Sequence, residues 1–346
     1  MLERQQRKQP MREIMPSDRP LLALAALAAL SMFAADDARA AASCELHMVA
    51  SIPAKVSAQN QLLLEATIND AAVTIQVDTG ASTSTISKRF ADRLGMPIED
   101  MPGVVYGLTG EALNQKTRVR MLRLGNTVSA NEAMVLTPIG GDGTDGQPVA
   151  LFGADYLQNY DVEIDAAGGK VNLFSHDHCP GQVVYWAPDY FKSKIYYVGQ
   201  SPLHRPTMDI AIDGKPLRAL LDTGAYTDIM RLAVATDRFD LSPGSADMPK
   251  IGETKGIEGR ALDTYQHTFQ SLTFGDITLH NTRMVIAPIN TAAHVATIGS
   301  RINTGMGDQP DVFIGMNLLK QLHLFISYSE NTLYYTIAKP KQAAAP

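Results

Sequence analysis

The sequence contains one structural unit twice, and this internal repeat constrains the fold more than any other feature. Three blocks recur in the same order at offsets of 144, 150 and 162 residues: residues 77–81 as 221–225, residues 134–139 as 284–289, and residues 147–157 as 309–319. The growing offsets indicate that the two copies differ by insertions in surface loops. A chain of 346 residues is long enough for two such units to form separate cores.

Each copy has the pattern of short β-strands separated by turns. Alternating apolar and polar residues at Leu62–Ile68 and Thr207–Ile212 precede the turn residues Asn69-Asp70 and Asp213-Gly214. Only short helices are predicted, at residues 87–94, 154–159 and 316–322. The pattern predicts a mostly-β fold with closed or folded-over sheets.

The repeat also divides the chain into segments. We expect two lobes, residues 58–179 and 205–338, joined by a linker at residues 180–204 that packs as a strand across both lobes. A flexible tail at residues 339–346 follows the second lobe. Residues 41–57 form an N-terminal extension, and the sequence leaves open whether this extension is a pro-segment.

The first 40 residues have the pattern of a secretory signal peptide. Basic residues precede an apolar run from Leu21 to Ala35, and Ala38-Arg39-Ala40 resembles a cleavage site. The apolar run is shorter than the roughly 20 residues that a transmembrane helix needs. The sequence therefore predicts export to the periplasm or the extracellular space, without a membrane span.

The chain contains two cysteines, Cys44 and Cys179. In an exported protein an even pair favours a disulfide bond. Lipidation of Cys44 is an alternative, but Asp36, Asp37 and Arg39 separate this cysteine from the apolar run. Free thiols are the third possibility.

The charge distribution argues against nucleic-acid binding. The chain has 30 basic and 36 acidic residues, with no basic cluster of the kind that binds nucleic acid.

Two short motifs give little support for a metal site. His176-Asp177-His178-Cys179 lacks the usual spacing of zinc ligands, so we interpret it as a surface turn. Residues 141–146 lack the calcium-loop pattern. We predict no metal and no cofactor.

The repeated Asp-Thr-Gly tripeptides carry the chemistry. One such tripeptide is weak evidence, but Asp78 and Asp222 each follow an apolar strand in equivalent positions. Two carboxylates about 3 Å apart share one proton, so one can accept a proton from water while the other donates to a carbonyl. Gly80 and Gly224 allow tight turns beside these carboxylates. Thr79 and Thr223, which follow the aspartates, are expected to cross-link the two loops by hydrogen bonds.

These residues resemble the retropepsin and pepsin superfamily of aspartic peptidases over about residues 58–338. Asp-Thr-Gly-Ala and the segment Phe313–Leu319 are similar to the retroviral type, whereas two copies in one chain are similar to pepsin. The resemblance implies an all-β, bilobal acid-protease fold made of two tandem retropepsin-like β-barrel lobes related by a pseudo-two-fold axis. It also implies an endopeptidase that hydrolyses peptide or protein substrates as a monomer.

The resemblance further implies flaps, the hairpin tips that close over substrate. Candidate flap residues lie 28 to 37 positions after each aspartate: Tyr106, Gly107, Gly110, Gly256 and Gly259. Residues 82–84 and 226–228, directly after the Asp-Thr-Gly loops, fit neither branch of the superfamily well. The resemblance therefore implies neither the polarity of the substrate pockets nor a pH optimum.

Two other function classes compete with peptide hydrolysis. A peptide-binding module could keep the fold with little or no turnover, although the presence of both aspartates argues against this alternative. A glycosidase also uses two carboxylates. That reading explains neither the repeated Thr-Gly-Ala nor the paired glycines of the candidate flaps.

Overall fold

The computed structural model describes residues 45–106, 112–197, 205–255, 261–289, 296–297 and 309–339. The first half contains β1 (Met48–Val56), β2 (Leu62–Ile68), β3 (Ala71–Val77), β4 (Thr85–Ser87), α1 (Lys88–Arg93), β5 (Ile98–Tyr106), β6 (Ala112–Leu124), β7 (Thr127–Thr137), β8 (Ala150–Phe152), α2 (Ala154–Leu157), β9 (Asp161–Asp165) and β10 (Lys170–Phe174). The second half contains β11 (Phe191–Lys194), β12 (Tyr196–Tyr197), β13 (Pro206–Ile212), β14 (Lys215–Leu221), β15 (Ile229–Arg231), α3 (Leu232–Phe239), β16 (Lys250–Lys255), β17 (Ala261–Phe274), β18 (Ile277–Ala287), β19 (Ala296–Thr297), β20 (Val312–Ile314), α4 (Met316–Leu319), β21 (Leu322–Ser327) and β22 (Thr332–Ile337).

Each half folds into a six-stranded barrel. The first barrel has the order β2-β3-β8-β4-β7-β6, and pairing of β6 with β2 closes it. The second has the order β13-β14-β20-β15-β18-β17, closed by pairing of β17 with β13. Closure leaves no free edge within the ring of strands. The prediction of two tandem β-barrel lobes is confirmed.

The hairpins that start each barrel form where the turn residues predict them. Asn69 and Asp70 have φ angles of 47° and 67°, and Asp213 and Gly214 have 47° and 74°. Two consecutive residues with positive φ match the right-handed twist of a tight hairpin. The turns therefore set the register of β2 on β3 and of β13 on β14. This register fixes where β3 and β14 end.

A third group of strands joins the two lobes. It has the order β11-β22-β21-β9-β10-β1, so three strands of the second half and three strands of the first half lie side by side in one sheet. The direct link is the antiparallel pairing of β9 with β21, from His323 opposite Asp165 to Ile326 opposite Val162. Strand β11 pairs with β22 in this sheet, and β12 pairs with β13 of the second barrel. The segment between the lobes therefore contributes two strands, both paired with strands of the second half.

The joining sheet buries two acidic residues of β9. Asp161 accepts a hydrogen bond from His178 at 2.6 Å, and Glu163 accepts one from His323 at 2.6 Å. Burial opposes ionisation of Glu163, but hydrogen bonds from His323, Tyr185 and Asn172 hold its pKa below the ordinary range. Buried carboxylates need such partners. The interpretation of residues 176–179 as a surface turn is wrong for His178, whose side chain is only 1% exposed because it pairs with Asp161.

The short helices follow the repeat. Helix α1 has a counterpart in α3, which the sequence analysis does not predict, and α3 packs Val234 and Ala235 into the core. Helices α2 and α4 begin directly after Gly153 and Gly315. In the part of the chain that the structure describes, no helix is both long enough and apolar enough to cross a membrane.

Candidate active site

Asp78 and Asp222 occupy the same place in the two barrels. Asp78 directly follows β3, and its backbone N–H donates to the Phe152 carbonyl at 2.9 Å; Asp222 directly follows β14 and donates to the Ile314 carbonyl at 2.9 Å. Each aspartate is therefore held at the end of a strand that pairs in parallel with its neighbour, β3 with β8 and β14 with β20. The apolar residues Phe152 and Ile314 thus lie directly beside the two loops.

Each carboxyl group is fixed by its own loop. Oδ1 of Asp78 accepts hydrogen bonds from the backbone N–H groups of Gly80 at 3.0 Å and Ala81 at 2.9 Å. Oδ1 of Asp222 accepts the equivalent bonds from Gly224 at 2.9 Å and Ala225 at 3.0 Å. These bonds leave Oδ2 of each aspartate available to other partners, and they hold both carboxyl groups in one orientation.

The glycine of each loop lies against the carboxyl group of the other lobe. A Cβ on Gly80 would lie 2.3 Å from Cγ of Asp222, and a Cβ on Gly224 would lie 2.3 Å from Cγ of Asp78. Any side chain at either position would occupy the space of a carboxyl group. The two loops therefore interlock, and the interlocking brings Asp78 and Asp222 together.

Thr79 and Thr223 cross-link the loops by reciprocal hydrogen bonds. The backbone N–H of Thr79 donates to Oγ1 of Thr223 at 3.0 Å, and the N–H of Thr223 donates to Oγ1 of Thr79 at 3.1 Å. The hydroxyl groups donate in turn to carbonyls of the opposite strand, Thr79 to Leu221 at 2.6 Å and Thr223 to Val77 at 2.9 Å. These four bonds, which both lobes contribute equally, hold the distance between the two aspartates.

The site favours a shared proton. Asp78 and Asp222 are 8% and 9% exposed, and a hydrogen bond joins their side chains. Burial, followed by the charge of Asp222, raises the pKa of Asp78 well above its ordinary value. Burial also raises the pKa of Asp222, although backbone hydrogen bonds from Ala225 and Gly224 oppose the rise. Two buried carboxyl groups in contact cannot both ionise readily, so this geometry favours one proton shared by the pair.

Each Asp-Thr-Gly loop has a further pair of polar residues beside it. The sequence analysis does not identify these pairs. In the first lobe Asp155 accepts hydrogen bonds from the Ser84 hydroxyl at 2.6 Å and the Ser84 N–H at 2.8 Å. In the second lobe Asp228 accepts from the Gly315 N–H at 2.9 Å and from Nδ2 of Asn317 at 3.3 Å. Ser84 and Asp228 are equivalent at the offset of 144, and Asp155 and Asn317 are equivalent at 162. The acidic residue of the pair is thus the later one in the first lobe, Asp155, and the earlier one in the second lobe, Asp228. Comparison of the two copies could have found this difference.

Asp228 gives a testable dependence of stability on pH. Burial raises its pKa from 3.8 to about 6. The folded state holds this proton more tightly than the unfolded chain, so stability should fall as pH rises from about 4 to about 6, by about 2 to 3 kcal/mol, and then level off. Asp228→Asn should remove this loss. The measurement is urea unfolding of both proteins at about pH 4 and pH 7, with exposed Asp209→Asn as control. An unchanged pH dependence in Asp228→Asn would contradict the assignment.

Two further side chains border the dyad, and no motif marks either of them. Tyr226 is half-buried; burial and the charge of Asp78 raise its pKa, and its carbonyl accepts a hydrogen bond from Asn60 at 3.0 Å. Arg205 directly precedes β13 and is only 8% exposed. The sequence signal for Arg205 is its equivalence with Gln61, which directly precedes β2.

The remaining predicted site residues lie wholly or partly outside the described residues. These are Gly107, Gly110, Gly256, Gly259, the side chain of Tyr106, and Cys44. Strands β5 and β6 pair up to Tyr106 opposite Ala112, and β16 and β17 pair up to Lys255 opposite Ala261. Each candidate flap thus connects two antiparallel strands. The flap roles and the pairing of Cys44 with Cys179 stay predictions.

The two barrels and their paired Asp-Thr-Gly loops define a bilobal aspartic peptidase fold. The sequence matches the aspartyl protease family over residues 64–156 and 208–318, which together make up more than half of the chain. The chain therefore belongs to the aspartyl protease family. Each matched region contains one Asp-Thr-Gly loop, so the family match covers both lobes.

Solved structures of aspartic proteases are similar to this chain at low identity. A retropepsin-like aspartic protease from Rickettsia conorii is 20% identical, with 38% of this chain and 94% of that chain covered and a TM-score of 0.27. The aspartic proteinase from Irpex lacteus is 11% identical, with 85% of this chain and 98% of that chain covered and a TM-score of 0.44. No curated protein matches the sequence.

Proposed function

We propose that the protein is an exported aspartic endopeptidase that hydrolyses peptide bonds with a water molecule activated by Asp78 and Asp222. The observation that carries this proposal is the reciprocal packing of Gly80 on Asp222 and of Gly224 on Asp78. This packing gives a buried pair of carboxyl groups, which is the arrangement that acid and base catalysis on one water molecule requires.

The chemistry follows from one proton shared by two carboxyl groups. The ionised aspartate accepts a proton from water while the water oxygen bonds to the carbonyl carbon, and the protonated aspartate donates to the carbonyl oxygen. The tetrahedral intermediate then loses its amine: the nitrogen takes the proton that came from water, and the hydroxyl returns a proton to the second aspartate. The dyad ends with the one proton with which it began.

The substrate class is a peptide or protein in extended conformation. Each lobe supplies one aspartate of the dyad on an equivalent loop. The scissile bond is therefore expected to lie across the pseudo-two-fold axis. Residues 106–110 and 255–259, at the ends of antiparallel strands, are proposed as flaps over the substrate. The chemistry requires no cofactor.

Export rests on the sequence of residues 1–40, and the pairing of Cys44 with Cys179 rests on export. We propose that this disulfide ties the N-terminal extension to the end of the first lobe. Peptide mapping without reductant tests the pairing. A disulfide-linked peptide supports it, whereas free thiols or an acyl group on Cys44 would overturn it.

The function is tested with a peptide library between about pH 4 and pH 7, because the working range of a carboxyl pair lies on the acid side of neutrality. Wild type should cleave internal peptide bonds, and Asp78→Asn should not. Binding of peptides by wild type without cleavage at any pH would instead identify a peptide-binding module. Equal cleavage by both proteins would show a contaminating protease.

We expect the active species to be a monomer, because one chain supplies both aspartates. Specific activity should stay constant when the protein is diluted about a hundredfold, from well above to well below the micromolar dissociation constants of many dimers. Light scattering at the same concentrations provides the control. A loss of activity on dilution, accompanied by dissociation of a dimer, would contradict this expectation.

A further inference from the structure

Arg205 is a buried cation beside the dyad. Its Nη1 donates to the Gly80 carbonyl at 3.4 Å. A buried guanidinium is costly unless negative charge lies nearby. Burial lowers the pKa of Arg205, and the charges of Asp222 and, less strongly, Asp78 oppose this change. The negative charge that stabilises Arg205 is therefore the charge of the dyad itself.

The equivalent position in the first lobe carries no charge. Gln61 directly precedes β2 as Arg205 directly precedes β13, and Nε2 of Gln61 donates to Oε1 of Gln76 at 3.2 Å. Nε2 of Gln76 donates in turn to the Gly224 carbonyl at 3.3 Å. A neutral pair of amides thus contacts the Gly224 loop, whereas a guanidinium contacts the Gly80 loop. The lobes are alike in backbone and different in charge.

Two observations associate the cation with Asp222: the charge of Asp222 acts on Arg205 more strongly than the charge of Asp78, and the loop that Arg205 contacts packs against Asp222. Gly80, which accepts the hydrogen bond from Arg205, packs against the carboxyl group of Asp222. Gly224, which contacts the neutral amide of Gln76, packs against the carboxyl group of Asp78. The positive charge of Arg205 accordingly opposes the burial-driven rise in the pKa of Asp222.

We propose that Arg205 is a positioning residue that assigns the negative charge of the dyad to Asp222 and the proton to Asp78. The proposal rests on the proposed function. It gives the aspartates distinct roles: Asp222 accepts the proton of the attacking water, and Asp78 donates to the carbonyl oxygen. Because a cation stabilises every ionised form of the dyad, Arg205 also moves the working range toward acid.

Other titratable groups around the dyad do not produce this asymmetry. Tyr226 is close to Asp78, but burial and the charge of Asp78 raise its pKa, so it stays neutral under acidic conditions. Asp155 is bonded to Ser84, and Asp228 is bonded to Gly315 and Asn317. Among the described residues around the dyad, the asymmetry in charge therefore comes from Arg205.

The kinetic test compares wild type with Arg205→Gln, Arg205→Met and Arg205→Lys. Both neutral variants should show a pH profile of kcat/KM whose acid and alkaline limbs move to higher pH. Relative to wild type, their loss of kcat/KM at the acid end of the profile should be roughly threefold to tenfold larger than their loss at the pH optimum. Arg205→Lys keeps the positive charge and should retain the wild-type pH profile. Arg218→Gln, which removes a half-exposed arginine paired with Asp209, is the control for net charge.

A second readout does not depend on turnover, and its first comparison needs no Arg205 variant. In ¹³C NMR of labelled aspartate, the Asp222 carboxyl of Asp78→Asn should titrate at lower pH than the Asp78 carboxyl of Asp222→Asn. Adding Arg205→Gln to both should reduce the difference. Equal titration of the two carboxyls, or unmoved kinetic limbs in folded neutral variants, would overturn the proposal. If wild type cleaves nothing, the proposed function fails, and the NMR titration still decides the role of Arg205.

Discussion

Asp78→Asn and Asp222→Asn should each lower kcat on a peptide substrate by about a thousandfold or more, and the double variant should be hardly slower than either. The reason is that the two carboxyl groups share one proton and act on one water molecule. An asparagine at either position cannot take part in that exchange, so the remaining aspartate has no partner to complete the reaction.

The measurement is kcat and kcat/KM for the two single variants and the double variant under identical conditions. Asp209→Asn is a suitable control, because Asp209 is an exposed aspartate of the second lobe that pairs with Arg218. It should retain wild-type activity. Losses that multiply in the double variant would show that Asp78 and Asp222 act independently, which contradicts a shared site.

Thr79→Val should destabilise the protein by about 2 to 5 kcal/mol and remove most activity. Valine keeps the shape of threonine but leaves the Thr223 N–H and the Leu221 carbonyl without their partner at a fully buried site. Each unsatisfied buried group costs about 1 to 3 kcal/mol. Urea unfolding measures the loss in stability, and peptide cleavage measures the loss in activity.

Thr79→Ser is the matched control, since serine keeps the hydroxyl group and loses only a methyl group. It should retain the cross-link and most of the activity. If valine and serine had equal effects, packing of the methyl group would explain the result, and the hydrogen bonds between the loops would not hold the dyad.

The sequence predicts those parts of the site that both copies repeat. The repeat has the same offset for the pair Asp78 and Asp222 as for the pair Thr79 and Thr223. A pseudo-two-fold arrangement of these residues follows from duplication alone. The same argument covers the hairpin turns at Asn69-Asp70 and Asp213-Gly214, because their residue types specify positive φ locally.

The sheet that joins the lobes could not be predicted in the same way. Its pairing of β9 with β21 connects residues about 160 positions apart, and no local pattern specifies the register of such distant strands. Asp161 and Glu163 are buried there because His178 and His323 reach them. In the sequence alone, these histidines look like surface residues.

The polar groups around the dyad were missed because they differ between the copies. A search for repeats finds what is shared, and it passes over Arg205 opposite Gln61 or Asp228 opposite Ser84. In the structure these differences stand out, because equivalent backbone positions receive different charges. They make the two halves of the site unequal, although the halves share one fold.

Binding of a transition-state analogue tests the central claim most directly. The probe is a peptide that carries a tetrahedral carbon with a hydroxyl group in place of the scissile carbonyl, and calorimetry measures its affinity and stoichiometry. We predict one peptide bound per chain at all protein concentrations, and a loss of affinity of about a hundredfold or more in both Asp78→Asn and Asp222→Asn. One peptide per two chains, or unchanged affinity in either variant, would contradict a dyad formed by the two lobes of one chain.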